Sequence, residues 1–167
     1  MALYRVERDL RNTRPGSVYA CTTGATPACT LPGVTPSPTA AIVLVTAYKN
    51  GTGQFQFDAS SGRPEWQGAT VYWIDAAGNL NMAFDSPAGF VPGTSSQGST
   101  LSSTQAALAV TDVLASGGTA VARFVQQMWL ARPATGNTVT FEMQAQSTVS
   151  GALNETTYRT DVEARND

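Results

Sequence analysis

The side chains with which this chain could do chemistry are few: two cysteines, a dozen carboxylates and no histidine in 167 residues. Without an imidazole there is no Ser-His-Asp or Cys-His relay, and neither a GxGxxG nor a GxxxxGK[ST] phosphate loop occurs. Cys21 and Cys29 flank TTGATPA, where Gly24 and Pro27 suit a chain reversal. The pair is expected to form a structural disulfide, the alternative being two free thiols. The seven intervening residues and the missing histidine leave a zinc site or a C-x-x-C redox pair without its usual parts. A bridge places the chain in an oxidising compartment.

Two sets of carboxylates are placed for other work. Asp75 follows Tyr72 and Trp73, as a glycosidase acid on an aromatic platform would. The run Asp75-Ala76-Ala77-Gly78-Asn79 makes it instead a side-chain cap of a hairpin turn. Asp161, Glu163 and Asp167, with Asn166, carry oxygen ligands of the kind calcium takes. Strand alternation sets Arg159 and Arg165 on the face of Asp161 and Glu163, so surface pairing is expected and no metal or other cofactor. Trp66, Trp73 and Trp129 are read as core or interface aromatics before a ligand platform. Asn50-Gly51-Thr52 and Asn154-Glu155-Thr156 match glycosylation acceptors. No catalytic residue and no small-molecule substrate is assigned.

The elements that carry these residues follow from periodicity. Residues 2–14 read as a helix: Leu3, Val6 and Leu10 form a stripe, with Arg5–Asp9 and Glu7–Arg11 one turn apart and Pro15-Gly16 as the stop. Residues 16–40 read as a loop pinned by the cysteines and kept irregular by Pro32, Pro36 and Pro38. Strands are expected over 41–48, over 54–57, and in a hairpin over 69–85 that turns at Asp75–Asn79. Residues 86–103 read as a long surface loop, and 104–116 as either a short helix or a weak strand. Strands are expected again over 121–130, with Ala122, Phe124, Met128 and Leu130 on one face, then over 139–145 and 156–165. The fold class is α+β: an N-terminal helix over 1–15 packed on a head over 16–167, with an antiparallel sheet of six to eight strands.

Composition limits the partners. Charged residues make up 13% of the chain, against about 25% in ordinary soluble domains. A net charge of −2 disfavours a general nucleic-acid binder, which needs a basic stripe to displace counterions. The basic residues are arginines apart from Lys49, and Arg5, Arg8, Arg11 and Arg14 crowd the N-terminal helix.

Three segments carry a family resemblance. Val6-Glu7-Arg8-Asp9-Leu10-Arg11-Asn12 resembles the polar end of the long N-terminal helix of minor type IV pilins and type II secretion minor pseudopilins. The resemblance is nearest to the larger PilW-like and J-type proteins. Tyr158 to Asn166 is similar to their final strand, which commonly closes on Arg-Asn. Val71-Tyr72-Trp73-Ile74-Asp75 with Gly78-Asn79-Leu80 is similar to a hairpin of the same class. The resemblance implies a pilin-like, membrane-anchored subunit of the cell envelope. Its apolar helix, processed by a prepilin peptidase, sits in the inner membrane and then in the filament core, with a β-rich head outside. The apolar span, the cleavage site and the glutamate that follows it are expected to precede this sequence, with Met1 a new start. Other pilins or pseudopilins are the implied partners, and Arg5, Arg8 and Arg11 the expected subunit contacts. Two alternatives stand beside this reading: an extracellular adhesin or carbohydrate-binding module, and a DNA-binding minor pilin acting in natural transformation. Cysteines just after the helix, rather than near the C-terminus, favour a minor over a major subunit.

Overall fold

A computed structural model describes residues 2–48, 54–94, 100–132 and 135–164. In chain order the elements are helix α1 (Ala2–Arg11), a 3-10 turn (Pro15–Ser17), and strands β1 (Val18–Cys21), β2 (Cys29–Thr30), β3 (Ser37–Thr39) and β4 (Ala41–Thr46). Then come β5 (Glu65–Trp66), β6 (Gly68–Ile74), β7 (Leu80–Asp85), β8 (Gly93–Thr94) and helix α2 (Ser103–Ser116). The chain closes through β9 (Thr119–Ala122), β10 (Val125–Ala131), β11 (Thr138–Val149) and β12 (Ala152–Glu163). The fold is α+β, but the single sheet expected from the sequence is in fact two large sheets and one two-stranded pair among the described residues. A six-stranded sheet runs β2-β1-β4-β6-β7-β9, a four-stranded sheet runs β12-β11-β10-β3, and β5 pairs with β8.

The run AIVLVT explains why the six-stranded sheet lies in the middle. All six residues of β4 are buried, because successive side chains point to opposite faces and both faces are covered. Ala41, Val43 and Val45 face α2, packing with Val71, Trp73, Ala106, Ala109 and Val110. Ile42 and Leu44 face the other way, into a second cluster with Val6 and Leu10 of α1 and with Met128, Leu130, Phe141 and Val162 of the four-stranded sheet. The layers are therefore α2, the six-stranded sheet, and then α1 together with the four-stranded sheet.

Several boundaries differ from those the sequence suggests, each for a physical reason. Helix α1 stops at Arg11 rather than Arg14. The Asn12 side-chain amide donates back to the Arg8 carbonyl at 2.8 Å, and the Thr13 hydroxyl donates to the Val45 carbonyl of β4 at 2.7 Å. The expected loop 16–40 holds three short strands. Tyr19 pairs with Val43 of β4, and Cys21 lies directly opposite Cys29. Pro38 is tolerated because β3 is an edge strand. The ambiguous 104–116 is helical: the Ser102 hydroxyl accepts from the Gln105 N–H, while Gln105 Oε1 accepts from the Ser102 N–H. Residues 54–57 form only isolated bridges, Tyr48 to Phe55 and Phe57 to Pro64. The stretch 86–103 is not wholly superficial, since Phe90 and Leu101 are buried. Finally, 121–130 is not one strand. A break at Phe124, whose φ is 62°, and a bulge between Val125 and Gln127 leave Phe124 exposed and bury Val125 instead.

Cys21 and Cys29 are joined in a disulfide across the β1–β2 pair. Closing so short a loop is worth about 2.5 kcal/mol by chain entropy. The double variant Cys21→Ser/Cys29→Ser is expected to lose about that much stability in urea unfolding, and a loss under about 0.5 kcal/mol would show the bridge to be energetically idle.

Candidate functional site

Among the described residues, the N-terminal helix and its seat on the head bring charged, aromatic and buried polar groups together at the expected site. Val6, Asp9, Leu10 and Thr13 recur at helical spacing and are all buried. Two of these four are polar, and both find partners in the six-stranded sheet. Asp9 Oδ2 accepts from the Tyr72 hydroxyl at 2.6 Å. Its Oδ1 accepts from Arg8 Nε at 2.9 Å and from Arg8 Nη2 at 2.7 Å. Burial, and then the Asp9 charge, push the Tyr72 phenol far above its ordinary value. At Arg8, burial works against the charge, but the bond to Asp9 and its negative charge outweigh it, so the guanidinium's pKa is raised. The same guanidinium lies 5.0 Å from the centre of the Tyr48 ring, a cation–π distance.

The three arginines of the expected contact surface thus have different surroundings. Arg11 is exposed and pairs with Glu7 at 2.6 Å, the i,i+4 pair that the spacing predicts. Arg8 is tied to Asp9 and Tyr48. Arg5 was expected to pair with Asp9, but the Asp9 carboxylate is held by Arg8 and Tyr72, and Arg5 Nε is buried with no hydrogen-bond partner among the described residues. Tyr4 projects outward, 72% exposed. Beside the first turn of α1, an open groove of about 310 Å³ with mixed polar and apolar walls is lined by Leu3, Val121, Arg123, Val125, Met143 and Tyr158, among others.

Asp75 acts as the turn cap. Its carboxylate accepts from the Ala77 and Asn79 backbone N–H groups, both at 2.9 Å, and from the Asn79 and Asn81 amides. The Asn79 bonds, with that from Asn81, hold it well below the usual carboxylate range, at about 2. Asp161 accepts from the Thr140 hydroxyl at 2.5 Å and lies 3.9 Å from Arg159, which reaches Glu142 at 3.0 Å. Glu163 is exposed on the same strand. Asn166, Asp167 and Arg165 lie outside the described residues, as does the Asn50 acceptor, while Asn154 is exposed on β12. Among the described residues, no group of three or more His, Cys, Asp and Glu converges. Trp66 and Trp73 are buried and present no surface platform, whereas Trp129 is half-buried on β10.

The Asp9–Tyr72 bond is the feature that sequence reasoning missed. A signal for it existed: an aspartate sits within the apolar stripe Val6-Leu10, on the face that must be buried. Compared with family models, with curated proteins and with solved structures, the chain matches none.

Proposed function

We propose that this chain is the exposed head of a minor pilin or minor pseudopilin, a structural subunit that contributes to assembling or priming a filament in the cell envelope. The observation that carries the reading is the seating of α1. Buried bonds from Asp9 to Tyr72 and, just past the helix end, from Thr13 to Val45 tie the helix to a β-rich head. Its outer side meanwhile leaves Tyr4 and Arg11 exposed. A helix held in this way transmits force and orientation between the head and whatever its outer side packs against. The sequence likenesses at the helix, the β6–β7 hairpin and the last strand support the same reading, and the disulfide suits an extracytoplasmic site. The partners would be other subunits of the same construction, and contact rather than catalysis would be the mechanism.

The informative variant is Tyr4→Glu/Arg11→Glu in the full-length gene product. Arg8 is a poor probe, because a glutamate there would face the buried Asp9 carboxylate and damage the fold. The double variant is expected to abolish or sharply reduce filament assembly in the producing cell while leaving the isolated chain folded, its thermal midpoint lowered only by the loss of the exposed Glu7–Arg11 pair. Normal assembly would refute the contact. The pilin class itself fails if the full-length gene product carries no run of about twenty apolar residues directly before Ala2.

A further inference from the structure

Sheet edges present unpaired N–H and C=O groups, and folds blunt them with short strands, proline, bulges or charge. Three of the four edges of the two large sheets are blunted in this way. β2 is two residues long and closed by the disulfide. β3 is three residues long and contains Pro38. β9 is four residues long, with an irregular register against β7. β12 is the exception. Its twelve residues pair with β11 without a single register shift from Glu163 to Ala152. It contains no proline and no lysine, and every residue from Ala152 to Arg159 is exposed. No described strand lies on its outer side.

The charges that would be expected to protect this edge are self-complementary. In antiparallel pairing of two β12 strands about a two-fold axis at Thr157, residues whose numbers sum to 314 face each other. Glu155 then lies opposite Arg159 of the second copy, and the reverse pair repeats it across the axis. Thr156 meets Tyr158, Asn154 meets Thr160, and the exposed Leu153 meets Asp161, so the ladder closes before the buried Val162. Arg159 would sit between Glu142 of its own β11, its present partner, and Glu155 of the other copy. Shifting the axis to Tyr158 sets Glu155 against Asp161, and shifting it to Arg159 sets that arginine against itself. An axis at Thr160 also opposes Arg159 to Asp161. It draws in the end of β12 against which α1 packs, where Val162 and Ala164 are buried. Centring on Thr157 alone joins unlike charges within the open run.

We propose that β12 is a self-pairing edge, on which two copies of this chain join antiparallel about Thr157 to merge their four-stranded sheets into one of eight. The occupant is a second copy because opposite charges fall opposite each other only through the two-fold, and cross-strand pairs of this kind stabilise a ladder while like charges weaken it. The proposal does not depend on the pilin reading; a filament subunit and an adhesin would be dimerised by it alike.

Sedimentation equilibrium of the isolated chain at concentrations up to ~1 mM tests the pairing, since a contact of this size belongs to the weak, transient class. The wild-type chain is expected to dimerise reversibly. Glu155→Arg and Arg159→Glu each place like charges across the axis twice, and each is expected to weaken self-association at least ~10-fold. Mixed together, the two variants regain complementary charges at both 155–159 pairs and are expected to form a heterodimer about as tight as the wild-type pair. That recovery would also demonstrate that both variants are folded. Arg159→Gln adds no third carboxylate beside Glu142 and Asp161, and is expected to weaken association in the same direction. A wild-type chain that stays monomeric overturns the proposal. So does a dimer indifferent to these charges, a mixture that fails to recover, or association only with some other protein.

Discussion

Replacing Tyr72 by phenylalanine is expected to lower the stability of the fold by about 2–3 kcal/mol, although the change removes a single oxygen. The cost arises because the hydroxyl is the partner that Asp9 Oδ2 finds on the sheet side among the described residues, and Asp9 is buried. A buried carboxylate that loses a donor keeps its desolvation penalty and loses the compensation for it. In a chain of this length that corresponds to a fall in Tm of roughly 4–12 °C. The double variant Asp9→Ala/Tyr72→Phe should be less damaging than the sum of its single changes, because removing both partners leaves neither stranded. Strict additivity would show that the 2.6 Å contact contributes no coupling.

The same bond makes a pH prediction. The Tyr72 phenol is held protonated in the fold far above its ordinary value of 10.0, first by burial and then by the adjacent Asp9 charge. A group whose folded pKa is raised contributes stability that is fully present below the unfolded pKa and lost as pH rises past it. Wild-type stability should therefore fall above about pH 10, by at most about 1.4 kcal/mol per pH unit from this group. Tyr72→Phe lacks the group, so the gap between the two proteins should narrow as pH rises. Tyr19, also raised by burial, declines in both and cancels from the comparison. A gap that stays constant to pH 11.5 would remove Tyr72 from the account.

How much of this was legible beforehand depended on whether the signal was local. The β6–β7 hairpin was readable because turn and strands are contiguous, and because the Asp75 cap draws on residues two to six positions away. β11 and β12 were readable where one face is wet, since period-two alternation encodes a half-buried strand. β4 read only as β-forming; that it is buried on both faces depends on α2 and on the four-stranded sheet, both distant in sequence. The short strands β1 to β3 carry too few residues to show a period, and their pairing is decided by β4 and β10. For α2 a local signal existed and was overlooked: Ser102-Ser103-Thr104-Gln105 is a capping box, and it outweighs the strand preference of the valines and threonines that follow. At the candidate site, periodicity correctly set Arg11 outward with Glu7. It misjudged Asp9, because the tyrosine that claims it lies 63 residues away. Local patterns report which face is buried, but they do not name the partner met there.

Gly68 shows the same limit from the opposite side, and a large packing effect is expected there. Nothing in Gln67-Gly68-Ala69 marks this glycine as other than the start of a strand. In the fold it begins β6 beside the end of β7, where a Cβ would collide with the Asp85 carbonyl oxygen and lie 2.7 Å from Phe84 Cζ. Thr70 pairs with Phe84 and Ala69 with Asp85, so the Phe84 ring reaches back diagonally over the space that Gly68 leaves. Gly68→Ala is expected to cost about 2–3 kcal/mol, the upper range for overpacking, because one of the two obstacles is backbone held in a ladder and cannot rotate away. The control is Gly68→Ala/Phe84→Ala. Were the ring the sole obstacle, removing it would restore the space and the double variant would melt close to Phe84→Ala alone. With the Asp85 carbonyl still in the way, the double variant should remain at least about 1 kcal/mol below Phe84→Ala in urea unfolding. A Gly68→Ala protein as stable as wild type would mean that β6 and β7 can separate at this end without penalty, and that the close approach there is incidental.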